Sequence, residues 1–164
     1  MERSNRSDKP REVEVVPFHQ TLAPYFESLN REWIEKDFVV EETDLLVFGD
    51  PYGQIVEQGG QIFFVILEGN VVGTCAVIPH GEKNFEVAKM AVSASARGQG
   101  LGDLLIERVI DFARQAGAKK LILVSNTRLG PAISLYEKHG FKSVPITNAG
   151  DYTRVDIQME LTLV

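Results

Sequence analysis

Apolar residues between Thr21 and Lys36 fall at Leu22, Tyr25, Phe26, Leu29, Trp33 and Ile34, a helical spacing that predicts an amphipathic helix. Ahead of it, Val13–Val16 predicts a short first strand stopped by Pro17; after it, Thr43–Phe48 predicts a second short helix ending at Gly49-Asp50-Pro51. The pattern then changes. Gln61–Leu67 and Val71–Ile78 are strand-sized apolar runs joined by Glu68-Gly69-Asn70, which predicts a β-hairpin with a tight Gly-Asn turn, and Phe85–Val92 extends the series. From Leu101 to Ala116 the helical period returns, with Leu101, Leu105, Val109, Phe112 and Ala116 on one stripe and Gly117 as the stop. Lys120–Val124 reads as a buried strand and Pro131–His139 as a helix, with Pro in its first turn and Gly140 after its end. Phe141–Val144 and Val155–Leu163 read as closing strands.

Helices, an antiparallel meander and then strand–helix–strand–helix–strand describe an α/β domain of the α+β kind, with a mixed sheet rather than a doubly wound parallel one. The hairpin makes the first half antiparallel, and the long helix after Val92 makes the return to Leu121 a parallel crossover. Residues 1–10 are polar, end in Pro and read as a disordered leader, which leaves 11–164 as one domain. No apolar run approaches the roughly 18 residues of a membrane span, and no secretory signal is visible, so the expectation is a cytoplasmic protein with no membrane partner.

Cys75 stands alone, cannot form an internal disulfide and reads as a small core residue. His19, His80 and His139 are scattered without metal-ligand spacing, so no metal is expected. The formal net charge is −6, and Glu27–Glu57 alone holds nine acids against Arg31 and Lys36. Such a balance makes the chain a poor candidate for nucleic-acid binding, so no nucleic-acid partner is expected, because phosphate contacts need clustered Lys and Arg. The acidic stretch reads as a solvated helix face, or alternatively as a region that steers a cationic ligand.

One loop carries chemistry. Between the strand ending at Val92 and the helix starting near Leu101 lies Ser93-Ala94-Ser95-Ala96-Arg97-Gly98-Gln99-Gly100-Leu101-Gly102. Glycines let the backbone approach an anion, and successive N–H groups at a helix N-terminus make a positively polarised nest for a phosphate. A dinucleotide fingerprint fails, because Asp103 stands where its third glycine belongs, and a P-loop fails for want of Gly-Lys-Ser/Thr. What remains is Arg97-x-x-Gly100-x-Gly102, with a ligand-free connector as the alternative reading.

This loop, entered from Phe85-Glu86-Val87-Ala88-Lys89-Met90-Ala91-Val92, together with Ser125-Asn126 and Ala132-Ile133-Ser134-Leu135-Tyr136-Glu137-Lys138-His139-Gly140-Phe141, resembles the GNAT family of N-acetyltransferases. The likeness covers most of residues 60–145 and is greatest to the bacterial single-domain enzymes. It implies an acetyltransferase domain over 11–164 and acetyl-CoA as co-substrate. Met90, Ala91 and Val92 match the main chain that bonds the pantetheine arm, and Arg97, Gly98, Gln99, Gly100, Leu101 and Gly102 match the pyrophosphate cradle. Asn126 matches a side chain that touches the arm, and Tyr136 the tyrosine that protonates the leaving thiolate.

An amine must lose a proton before it attacks a thioester. Glu86, four residues before Met90, is the expected base, and the resemblance places a glutamate there in histone-acetylating members. Other members carry an acid on the strand before the Asn, where this chain has only Leu121-Ile122-Leu123-Val124. That departure sustains the rival reading, a catalytically silent domain that binds or senses acyl-CoA. The resemblance assigns acceptor selection to Asn30–Phe48 and Asn148–Asp156, which hold Trp33, Glu41, Glu42, Asp44, Tyr152, Arg154 and Asp156. Trp33, Glu86 and Tyr152 are the candidate substrate contacts. The expected partner is a small-molecule or peptide amine, with the acidic surplus favouring a cationic one, and a homodimer is compatible with the family.

Overall fold

A computed structural model describes residues 11–147 and 152–163. The leader assigned to residues 1–10, and residues 148–151 of the second acceptor loop, lie outside the described residues. Seven strands, β1 (Val13–Pro17), β2 (Gln61–Leu67), β3 (Asn70–Pro79), β4 (Asn84–Val92), β5 (Lys120–Ser125), β6 (Lys142–Val144) and β7 (Ile157–Thr162), form one sheet ordered β1-β2-β3-β4-β5-β7-β6. Every pairing is antiparallel except β4 with β5, so the sheet is mixed in the way the order of elements predicts.

Four helices cover the two faces. On one side lie α1 (Ala23–Asp37) and α2 (Glu42–Gly49), and on the other α3 (Leu101–Gln115) and α4 (Gly130–Lys138). Strand alternation divides the core accordingly. Phe63, Val65, Cys75, Val77 and Val87 meet Leu105, Ile106 and Val109 of α3, whereas Ile62, Phe64 and Ala76 meet Phe26, Ile34 and Phe48 of α1 and α2. Phe112 locks α3 to the sheet by packing edge-on against both Phe63 and Phe85. Among the described residues, no helix is long and apolar enough to cross a membrane.

Two local expectations need correction. The hairpin turns at Glu68-Gly69, both at positive φ, and Asn70 already belongs to β3. The buried stripe of α3 ends at Ala113 while Ala116 is exposed, because α3 stops at Gln115 and Ala116 only caps it. Between α2 and β2 a π-helical turn at Tyr52–Val56 buries Ile55 against β2 and β3.

Candidate active site

The site begins where two strands part. β4 pairs with β5 only through Asn84, Phe85 and Glu86, opposite Lys120, Leu121 and Ile122. Past Glu86 the ladder stops, and Glu86–Val92 line one wall of a cleft of about 530 Å³ whose other wall is Val124, Ser125 and Asn126 with α4. Main-chain amides and carbonyls need partners, so a splayed strand facing a cleft is a template for a ligand that supplies them. Met90, Ala91 and Val92 line this open edge.

A bulge sets what β4 aims into the cleft. The register with β3 shifts between Thr74 and Ala76, so Cys75 faces two residues of β4, and Lys89 takes φ +53°. Simple alternation would turn Lys89 toward α3 beside Val87; the bulge instead sends it to the side of α1 and α2, and Met90 toward α3. There the ammonium of Lys89, a residue only 8% exposed, donates to Asp44 and, at 2.9 Å, to the Tyr152 hydroxyl. Arg154 grips the same Asp44 through two nitrogens at 2.8 and 2.7 Å, and reaches Glu41 at 3.1 Å. The guanidinium lies 4.5 Å from the Tyr152 ring centre and 5.4 Å from that of Trp33.

Asp44 is fully buried, which corrects its assignment to a solvated face. Burial by itself raises its pKa, but bonds from Arg154, Lys89 and the Glu41 amide outweigh that and hold the carboxyl at about 2. Other acids of the stretch are also engaged. Glu27 and Glu35 pair with Arg31 on the outer side of α1, and Glu32 accepts the Ala94 amide. A folded-state pKa below the unfolded value of 3.8 makes this contribution complete above about pH 4 and lost as pH falls toward 2. The shift corresponds to about 2 kcal/mol. Asp44→Asn is therefore expected to lower stability at neutral pH and to flatten the acid limb of an unfolding curve between pH 4 and 2, followed by circular dichroism. An unchanged acid limb would mean that Asp44 is not the group that titrates.

At the other end of the cleft lies the glycine loop. Gly98 and Gly100 adopt φ +78° and +76°, the left-handed region that favours glycine, and Gly100 caps α3 with no side-chain bond to the first-turn amides. Those amides therefore stand open at the positive end of a 15-residue helix. Arg97, Gly98, Gly100, Leu101 and Gly102 line the cleft, while the Gln99 side chain turns back to the Ala96 carbonyl at 3.3 Å. Gly102 has a packing role: a Cβ there would sit 2.8 Å from Leu135 Cδ2 and 3.2 Å from Met90 Cε. Asp103, bonded to His139 at 2.7 Å and Lys138 at 2.8 Å, pins the end of α4 to the start of α3.

Tyr136 and Glu86 both face this cleft. Tyr136 is 7% exposed, burial raises its phenol pKa, and its hydroxyl has no hydrogen-bond partner among the described residues. It thus holds its proton at neutral pH. Burial also raises Glu86, against the opposing charges of His80, 3.5 Å away, and Lys89. A carboxylate shifted upward is a better base near neutrality than an ordinary one. Asn126 lines the cleft too, but its amide bridges protein groups, donating to the Arg154 carbonyl and accepting from the Arg128 amide, both at 2.8 Å. Trp33 both lines the cleft and packs on the core of α1 and α2, and buried Cys75, its thiol pKa raised, is inert packing.

The parted strands, the open helix end and the side chains of Glu86 and Tyr136 thus share one cleft. A profile described as "Acetyltransferase (GNAT) family" matches residues 19–141, and the chain belongs to that family. Rat N-acetyltransferase family 8 member 2 is 37% identical over 79 residues, covering 45% of this chain and 35% of the relative. An acetyltransferase of the GNAT family from Staphylococcus aureus Mu50 superposes with a TM-score of 0.85 at 15% identity, covering 93% of this chain and 100% of that one. The Salmonella typhimurium yncA structure, solved with its cofactor acetyl-CoA, gives 0.70 at 18% identity, covering 93% and 95%. The chain spans 35% to 53% of the length of the first rat and mouse relatives it matches.

Proposed function

We propose that this chain transfers the acetyl group of acetyl-CoA to a primary amine, directly, with both substrates bound at once. The observation that carries the reading is the parting of β4 from β5, with an open helix N-terminus at one end and Glu86 and Tyr136 along the same cleft. The residues fit the co-substrate: the amides from Arg97 to Gly102 hold its pyrophosphate, and the main chain of Met90–Val92 bonds its arm. Bound acetyl-CoA supplies an activated thioester.

Glu86 takes a proton from the acceptor's ammonium, directly or through a water. The freed nitrogen bonds to the acyl carbon as the carbon–sulfur bond breaks, the Tyr136 hydroxyl gives its proton to the departing sulfur, and the second proton shed by the new amide nitrogen returns through solvent to the tyrosine. An amide N–H of the Met90–Val92 edge stabilises charge on the acyl oxygen. Thiol release from acetyl-CoA, measured against a panel of amines, tests the reading. Release that needs both protein and amine supports it; CoA binding with no amine ever acetylated assigns the chain to acyl-CoA sensing instead.

Tyr136→Phe removes only the hydroxyl. General-acid contributions run to about 10²–10⁴-fold, less for a thiolate that leaves readily. Turnover is expected to fall about 10- to 100-fold, with CoA affinity held within a few-fold by the unchanged ring. Parent-like turnover would assign Tyr136 to packing against Phe141.

A further inference from the structure

We propose, building on the transferase reading, that the acceptor is an amine bearing a carboxylate, an amino-acid-like zwitterion rather than a polyamine. The acid-rich stretch from Glu27 to Glu57 suggests the reverse until its members are placed. Of its nine acids only Asp37 reaches the main cleft, beside Lys36. Two others, Asp44 and Glu41, are matched by cations that stand in front of them: Lys89 and Arg154 line the cleft, Asp44 does not, and Glu41 opens only on a neighbouring hollow.

A cluster with its cations forward and its anions behind presents a positive face even when its charges balance, because the nearer charge dominates. Burying such a cluster is costly, and specificity is one return for keeping it. Hydrogen-bond direction agrees. The Tyr152 hydroxyl accepts from Lys89, so its own hydrogen is directed elsewhere, and its ring lies 4.4 Å from the Lys89 ammonium and 4.5 Å from the Arg154 guanidinium. These donors share the cleft with Glu86. They would hold the acceptor's carboxylate while Glu86 takes the proton from its amine. The nitrogen gains the acetyl group, and the products are an N-acetyl amino acid and the free CoA thiol.

Matched acceptors that differ only by the carboxylate test this: phenylalanine against phenethylamine, methionine against 3-methylthiopropylamine, lysine against cadaverine, with spermidine added. Rates are compared as kcat/KM per fraction of free base. The amino acid is expected to lead in at least one pair by about 10- to 100-fold, the worth of a hydrogen-bonded charge. Tyr152→Phe should raise the KM of that amino acid about 10-fold, with CoA affinity as the control for folding. Decarboxylated amines or spermidine matching or exceeding every amino acid would overturn the proposal while leaving the transferase reading intact. So would an amino-acid KM unmoved in the Tyr152 variant. Silence on every acceptor with CoA bound would instead remove the transferase reading, and this proposal with it.

Discussion

Glu86→Gln is expected to lower turnover at neutral pH by about 10²-fold or more while acetyl-CoA binding stays nearly intact. Glutamine keeps the shape and most hydrogen bonds of the carboxyl but cannot take a proton. Two features of the site sharpen the forecast. Burial raises the Glu86 pKa, so in the parent the acid limb of kcat/KM should lie above the ordinary carboxylate range. Activity needs the deprotonated form and therefore rises with pH through that limb. In the variant the limb disappears, and the deficit shrinks as pH approaches the amine's own pKa, where solvent supplies free base. A merely structural Glu86, held by His80 at 3.5 Å, makes the opposite forecast: lost stability and no recovery of rate with pH. A Gln variant that matches the parent across pH on an accepted amine would remove Glu86 as the base.

The framework was legible because each strand and helix carries its own period. Phe85–Val92 and Leu101–Gln115 are continuous apolar patterns whose partners adjoin them in sequence, and the loop between them announces itself by its glycines. What escaped depends on distant partners or broken periods. Period-two alternation puts Lys89 on the side of Val87, and only the bulge opposite Cys75 reverses it. Asp44 looks like one acid among many until Lys89 and Arg154, 45 and 110 residues away, converge on it. A lone lysine inside an apolar strand was the available signal, since such a charge requires a buried partner. The insertion of β7 between β5 and β6 had no local signature, because both closing strands follow one another in the chain.

Gly100→Val is expected to weaken CoA binding by about 100-fold or more, the worth of two or more backbone bonds to a charged phosphate. Inside the protein there is room for it: a Cβ at Gly100 meets only Asp103 Oδ2, at 4.0 Å. The penalty therefore has two separable parts. One is backbone strain at φ +76°, of about 1–2 kcal/mol, which appears in the Tm of the ligand-free protein. The other is a branched side chain standing over the open amides of α3, which appears only when the anion must approach them. Gly102→Ala provides the contrast, because its Cβ would press on Leu135 and Met90 and so act on the packing of α4. Titration calorimetry with CoA, alongside thermal unfolding of both variants, distinguishes these effects. The Gly100 variant should lose affinity far out of proportion to its fall in Tm, and the Gly102 variant should not. A folded Gly100→Val protein that binds CoA like the parent would show that the pyrophosphate does not sit on this loop.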